Sequence, residues 1–265
     1  MSSPGFSERA FEFAFNAEYC AANNAILCGM PHIPSQRKEK WLGYDVAFEL
    51  APLGGQIHLI ALQHKVASYA SCAAGTNANF WAQMGGTPYF RFPVEVEQFN
   101  LLEAMSSAGL PGITIRYCVP AFHTHAQLQT RYIAQTVMAG SVFINVAGCG
   151  QLAGASHNCV YQPGNPAAWV FSDPLQATLE EDVPRLPEHA VTNKTLDSCF
   201  AQILLALRRR TYREEEAATR HRIELGFARD RWRELRRDGE GQLEGKVAFL
   251  GVLLGRYFSI SLMAR

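Results

Sequence analysis

At 265 residues, with 48% hydrophobic side chains and 24 Lys/Arg balanced by 24 Asp/Glu, the chain can bury a core, as one large domain or as a core with an accessory region. Zero net charge argues against strong nonspecific nucleic-acid binding, and the longest late apolar stretch, Val247 to Leu254, is too short to span a bilayer. Seven cysteines without a Cys-x-x-Cys pair read as reduced thiols rather than zinc ligands, and the first residues lack the basic start and apolar segment of a signal peptide, so a cytoplasmic protein is expected.

In chain order, Ser7 to Asn23 reads as a helix with Ser7 as its N-cap. Phe11, Ala14, Phe15, Glu18 and Ala22 share one face, so Glu18 extends the apolar stripe while Glu8, Arg9 and Glu12 lie largely off it. An inward carboxylate needs a metal or a cationic partner. A strand over Ile26 to Ile33 follows, then a polar connection containing Glu39. Next comes the strand Trp41 to Phe48, which carries Asp45. Pro52-Leu53-Gly54-Gly55 signals a turn before the strand Ile57 to Val66. Residues 68–87 lack periodicity and are expected to form a loop able to contact substrate.

Tyr89 to Phe92 reads as a short strand bearing Arg91, Glu95 to Ala108 as a helix with Gln98 near its start, and Gly112 to Val119 as the next strand. Thr124 is placed as the N-cap of a helix running to about Met138, followed by a strand over Ser141 to Ala147. Residues 148–190, rich in Gly, Pro and Asn, are expected to be an irregular connection anchored by Trp169-Val170-Phe171. A soft boundary near 190 separates residues 1–190 from a helical extension over 191–265, with segments at Leu196 to Leu207, Arg213 to Arg237 and Leu243 to Tyr257. That extension would serve docking, oligomerisation or partner binding.

The chemistry concentrates on Asp45, Gln63 and Lys65. Side chains two apart on a strand point to the same side, so Gln63 and Lys65 project together while His64 faces away. A carboxylate, an amide oxygen and an ammonium from adjacent strands suit a hard divalent cation beside a phosphate. Asp45 would be the main ligand, Gln63 would add a neutral oxygen, and Lys65 would orient the attacking water or stabilise developing charge. Taken singly, Asp45 also suits a strand end at a turn, and Lys65 a snorkelling edge residue.

Gly43-Tyr44-Asp45 followed by Leu62-Gln63-His64-Lys65 resembles the PD-(D/E)xK nuclease superfamily, in the Mrr-like variant with Gln in place of the acidic residue. The resemblance implies an α/β fold with an αβββαβ restriction-endonuclease-like core, a mixed central sheet flanked by helices. It also implies a Mg²⁺- or Mn²⁺-dependent nuclease, acting on DNA more than RNA, of the kind found in prokaryotic restriction and anti-phage defence systems. Many members carry a metal-binding Glu on the first helix, a role that Glu18 matches. Glu18, Asp45 and Gln63 would then bind metal and Lys65 would assist hydrolysis. Members of the RecB-like branch often have a Gln near the metal site early on the second helix, as Gln98 is, although a solvent-facing Gln fits that place too. Arg91 is a candidate phosphate contact on its chemistry.

Charge is unevenly spread. Residues 186–265 hold 15 Lys/Arg and 11 Asp/Glu, a net of +4, leaving −4 for residues 1–185. The run Arg208-Arg209-Arg210-Thr211-Tyr212-Arg213 could attract a polyanion, but Glu214-Glu215-Glu216 follow it and favour an ion-paired helix. Neutral charge suits an effector recruited by a protein partner. The alternative is a nuclease-like fold kept as a scaffold or binding subunit.

Overall fold

The computed structural model describes residues 1–34, 43–51, 58–73, 75, 78–107, 113–154, 156–171, 175–184 and 226–234. The chain divides into two units, Met1–Glu188 and His189–Arg265. The first is a mixed α/β unit around one nine-stranded sheet.

Helix α1 (Glu8–Ala22) starts where the Ser7 hydroxyl accepts the Ala10 amide at 3.2 Å, satisfying one of the four donors that a helix leaves open at its N-terminus. Its buried face is Phe11, Ala14, Phe15 and Tyr19. These pack on Val46 and Phe48 of β1 (Val46–Leu50), Ile60 and Leu62 of β2 (His58–His64), and partners farther along the sheet. Each large side chain buried this way contributes about 1.5–3 kcal/mol.

The other elements of this unit are β3 (Ser68–Ala70), α2 (Ala78–Gln83), β4 (Tyr89–Val94), α3 (Val96–Ser107), β5 (Ile113–Pro120), α4 (His125–Ala134), a 3₁₀ turn (Met138–Gly140), β6 (Ser141–Asn145), β7 (His157–Tyr161), β8 (Ala167–Phe171) and β9 (Leu175–Glu180). The strand order is β1-β2-β5-β6-β9-β8-β7-β4-β3. β2 and β5 run parallel, with Gln63 opposite Tyr117, and the other pairs are antiparallel. The sheet curls on itself: Phe92 of β4 meets Tyr117 of β5 with ring centroids 5.6 Å apart, and the Tyr161 hydroxyl of β7 donates to the Pro120 carbonyl at 2.7 Å.

Three expectations need correction. Residues 148–190 are not one irregular connection: they supply β7, β8 and β9, and the Gly, Pro and Asn residues fall in the turns between them. Residues 68–87 contain β3 and α2, so only part of that segment is loop. The strand expected over Ile26 to Ile33 is reduced to isolated bridges, Leu27 to Leu50 and His32 to Ala47. Pro31 has no amide proton for a continuous ladder.

The α4 start is as expected. Thr124 and Gln127 form a capping box, and the helix stops at Gln135 in the left-handed conformation with φ 52°. In the second unit, residues 226–234 are helical, with Ala228 and Trp232, one turn apart, both buried. The segments expected at Leu196 to Leu207 and Leu243 to Tyr257, the basic run from Arg208, the turn at Pro52 to Gly55, and Glu39 lie outside the described residues. No helix among the described residues is long and apolar enough to cross a membrane.

Gly43 sets the approach to β1. It has φ +72°, and a Cβ there would lie 2.9 Å from Cδ2 of Leu101 on α3. Gly43→Ala must both adopt a disfavoured backbone conformation and displace Leu101. It should lower unfolding stability by about 1–2 kcal/mol in urea titration of the full chain. An unchanged midpoint would show that this turn is not held in place by packing.

Candidate functional site

β1 and β2 pair antiparallel with Val46 opposite Leu62, which places Asp45, just before β1, beside Gln63 near the carboxyl end of β2. The Asp45 amide continues the ladder by donating to the Leu62 carbonyl at 2.9 Å. Gln63 Nε2 donates to both carboxylate oxygens of Asp45, each at 2.8 Å, and the His64 amide donates to Oδ2 at 2.7 Å. Asp45 is 7% exposed and Gln63 fully buried. A carboxylate withdrawn this far from water needs such donors.

The Gln63 amide is half satisfied. Its Nε2 serves Asp45, while its Oε1 is buried with no hydrogen-bond partner among the described residues. A buried orphan acceptor costs on the order of 1–3 kcal/mol.

His64 turns to the opposite face, as expected, and inserts between Phe11 and Phe15 of α1, with centroids 5.7 and 5.5 Å away. Burial, with a smaller contribution from the Lys65 charge, lowers its pKa to about 3. Its Nδ1 lies 3.8 Å from Asp45 Oδ2, beyond hydrogen-bonding distance, and the neutral ring forms no ion pair there.

Lys65 follows a different path from Gln63. Its amide pairs with the Cys118 carbonyl at 3.1 Å, and its ammonium reaches Glu8 Oε1 on α1 at 3.4 Å. Glu8 and Asp45 both line a groove of about 680 Å³ running along α1, with Arg9, Glu12, Phe13 and Asn16 among its other walls. Asp45 and Gln63 are therefore in direct contact, while Lys65 pairs with Glu8, which lines the same groove as Asp45. Glu8 and Glu12 sit off the apolar stripe, and the pattern that puts them there carries no sign that they border Asp45.

No family model, curated protein or solved structure matches this chain.

Glu18 is the main departure. Its Oε2 accepts the backbone amides of Val137 at 2.7 Å and Met138 at 3.3 Å, capping the 3₁₀ turn. Tyr19, one residue on, takes the buried helical position, and the Glu18 carboxylate does not line the Asp45 groove. The partner that this half-buried acid requires is a helix terminus, with neither a cation nor a basic side chain involved.

Arg91 lies over the Phe80 ring of α2, 5.1 Å from its centroid, in a separate cluster with Phe171. Gln98 is buried rather than solvent-facing, and its Oε1 has no hydrogen-bond partner among the described residues. Tyr117, opposite Gln63 on β5, has a buried hydroxyl without a partner among the described residues, and burial raises its pKa well above the usual value. Unpaired buried oxygens of this kind carry no sequence signature.

Two outcomes follow. Glu18→Ala should cost about 1–2 kcal/mol of stability in urea titration, as loss of a cap does; an unchanged midpoint would show that this carboxylate does not hold the 3₁₀ turn. For His64, the unfolded imidazole takes up a proton below about pH 6.5 while the folded one stays neutral until about pH 3. The unfolded state then holds the extra proton, so stability falls as pH drops through that window, by up to about 1.4 kcal/mol per pH unit from this group. Urea titrations from pH 7 to pH 4 should show a shallower acid loss in His64→Leu than in wild type; equal slopes would show that His64 does not couple to folding.

Proposed function

We propose that this protein is a metal-dependent phosphodiesterase of the nuclease class, with Asp45, Gln63 and Lys65 as its central residues. The observation that carries the reading is the contact between the Asp45 carboxylate and the Gln63 amide, whose Oε1 is buried without a partner among the described residues. A carboxylate oxygen and an amide oxygen are hard donors of the kind Mg²⁺ and Mn²⁺ prefer. Turning the amide over would bring Oε1 toward the carboxylate, an arrangement favourable only with a cation between them. These residues fit the ion on that ground. Among the described residues no group of three His, Cys, Asp or Glu side chains that could hold a metal ion is found.

A bound divalent cation would polarise a phosphoryl oxygen and lower the pKa of its water. The chain's own groups supply the rest. Asp45 and Gln63 would hold the ion, and Glu8, with Glu12 nearby on the groove wall, keeps the Lys65 ammonium oriented. Lys65, its side chain 15% exposed, would place its charge where the pentacovalent phosphate gains charge. The order α1, bridged segment, β1, β2, α3, β5, with β5 parallel to β2, supports a restriction-endonuclease-like core into which β3, α2 and β4 are inserted. Within this reading DNA is the main substrate, and a role in prokaryotic anti-phage defence rests on the motif resemblance alone. A protein partner or a second copy, recruited through residues 191–265, belongs to the same proposal.

A scaffold subunit is the second reading, favoured by one observation: Gln63 Nε2 on Asp45 and Lys65 on Glu8 pair off the charges without a metal. Incubation of full-length protein with plasmid, linear duplex, single-stranded DNA and RNA in Mg²⁺ or Mn²⁺ separates the two. Metal-dependent cutting should fall at least about 100-fold in both Asp45→Ala and Lys65→Ala, a scale in keeping with losing a charge-stabilising group. No cutting by wild type, combined with no Mn²⁺ binding, would leave the scaffold.

A further inference from the structure

The site described above leaves open what form of nucleic acid it takes. On the outer side of the Asp45 groove, α1 and α4 each present an aromatic ring to solvent. Phe13 is 66% exposed and Tyr132 46%, and their ring centroids lie 6.1 Å apart at 39°. Ile133, next to Tyr132, is 75% exposed. Phe13 is also a wall of the groove into which Asp45 opens. The ring pair is therefore continuous with the groove.

Its electrostatics narrow the ligand. Arg9 is the one cation among the groove's described lining residues, against the carboxylates of Glu8, Glu12 and Asp45. Such a surface cannot grip the dense phosphate array of a duplex by charge, which is how proteins ordinarily hold duplexes without reading sequence. Base stacking on aromatic side chains needs no such array, tolerates any sequence, and is open only to bases that are not already paired and stacked. Arg9 precedes Phe13 by one helical turn and shares its face, so a base on the ring would bring its own phosphate near the guanidinium.

We propose that Phe13 and Tyr132 form a stacking platform for unpaired nucleobases, and that the substrate enters the Asp45 groove as single-stranded nucleic acid. This inference rests on the nuclease reading for its purpose, but its binding test is separate from catalysis. A protein partner on the same rings is the competing occupant.

The test is fluorescence anisotropy with wild-type full-length protein in EDTA, which prevents cutting, using a labelled 20-mer of thymidines and a labelled 20-base-pair duplex. The single strand should bind at least about ten-fold tighter than the duplex. Phe13→Ala and Tyr132→Ala should each weaken the single strand about ten-fold or more, and Phe13→Trp should restore it. Both positions are exposed, so circular dichroism should match wild type. Duplex binding as tight as single-strand binding, or single-strand binding unchanged in both alanine variants, would overturn the platform. So would a self-associated wild type that becomes monomeric in Phe13→Ala by sedimentation, with no effect on the oligonucleotide. Phe13-dependent binding without metal-dependent cutting would sink the nuclease reading and leave the platform standing. Cutting that is indifferent to both rings would do the reverse.

Discussion

The Asp45 carboxylate lies almost out of water at the junction of two strands, and three donated hydrogen bonds make that position tenable. One comes from the main chain of His64, so the carboxylate also fixes the end of β2, the strand from which β5 takes its parallel register. On one face of that strand His64 is wedged into the aromatic cluster of α1; on the other Gln63 meets the carboxylate. Removing the charge would leave buried donors without an acceptor, which costs more than the hydrogen bonds themselves contribute. The same group is thus a structural pin and the centre of the candidate site, and its two roles cannot be varied independently.

The surrounding charges are arranged in pairs with partial access to water. Lys65 is largely buried and Glu8 about 39% exposed, so their attraction is weakened by solvent on one side only. An anion arriving in the groove would compete with Glu8 for Lys65, and a cation would compete with Gln63 Nε2 for Asp45.

What the sequence made legible was local. The apolar repeat of α1, the Ser7 and Thr124 caps, and the neighbourhood of Asp45 and Gln63 depend on residues close along the chain or joined by one hairpin. Glu18 shows the limit of the helical repeat: one step of the wheel separates a buried Tyr19 from a carboxylate at the boundary, and only the distant Val137 amide decides what that carboxylate does. The link between Lys65 and Glu8 spans most of the first third of the chain and has no periodic signature. β7, β8 and β9 were hidden for a different reason: short strands separated by Gly, Pro and Asn turns have the same composition as a loop until their partners are known.

The order of pairing in the sheet has a consequence for how the chain reaches this state. β2 must find β5 across an interval that contributes β3 and β4, strands that pair with each other and then with β7, on the far side of the sheet. The first few residues are also late partners, since Ser2 pairs with Tyr69 and Gly5 donates to the His123 carbonyl. Contacts so far apart in sequence must overcome loop-closure entropy before they contribute any stability, which makes for a slow folder with edges exposed on the way. During synthesis the Asp45–Gln63 hairpin can form early. Its parallel neighbour and the closing strands emerge long afterwards, so the half-built sheet presents the unpaired side of β2 to any other strand it meets.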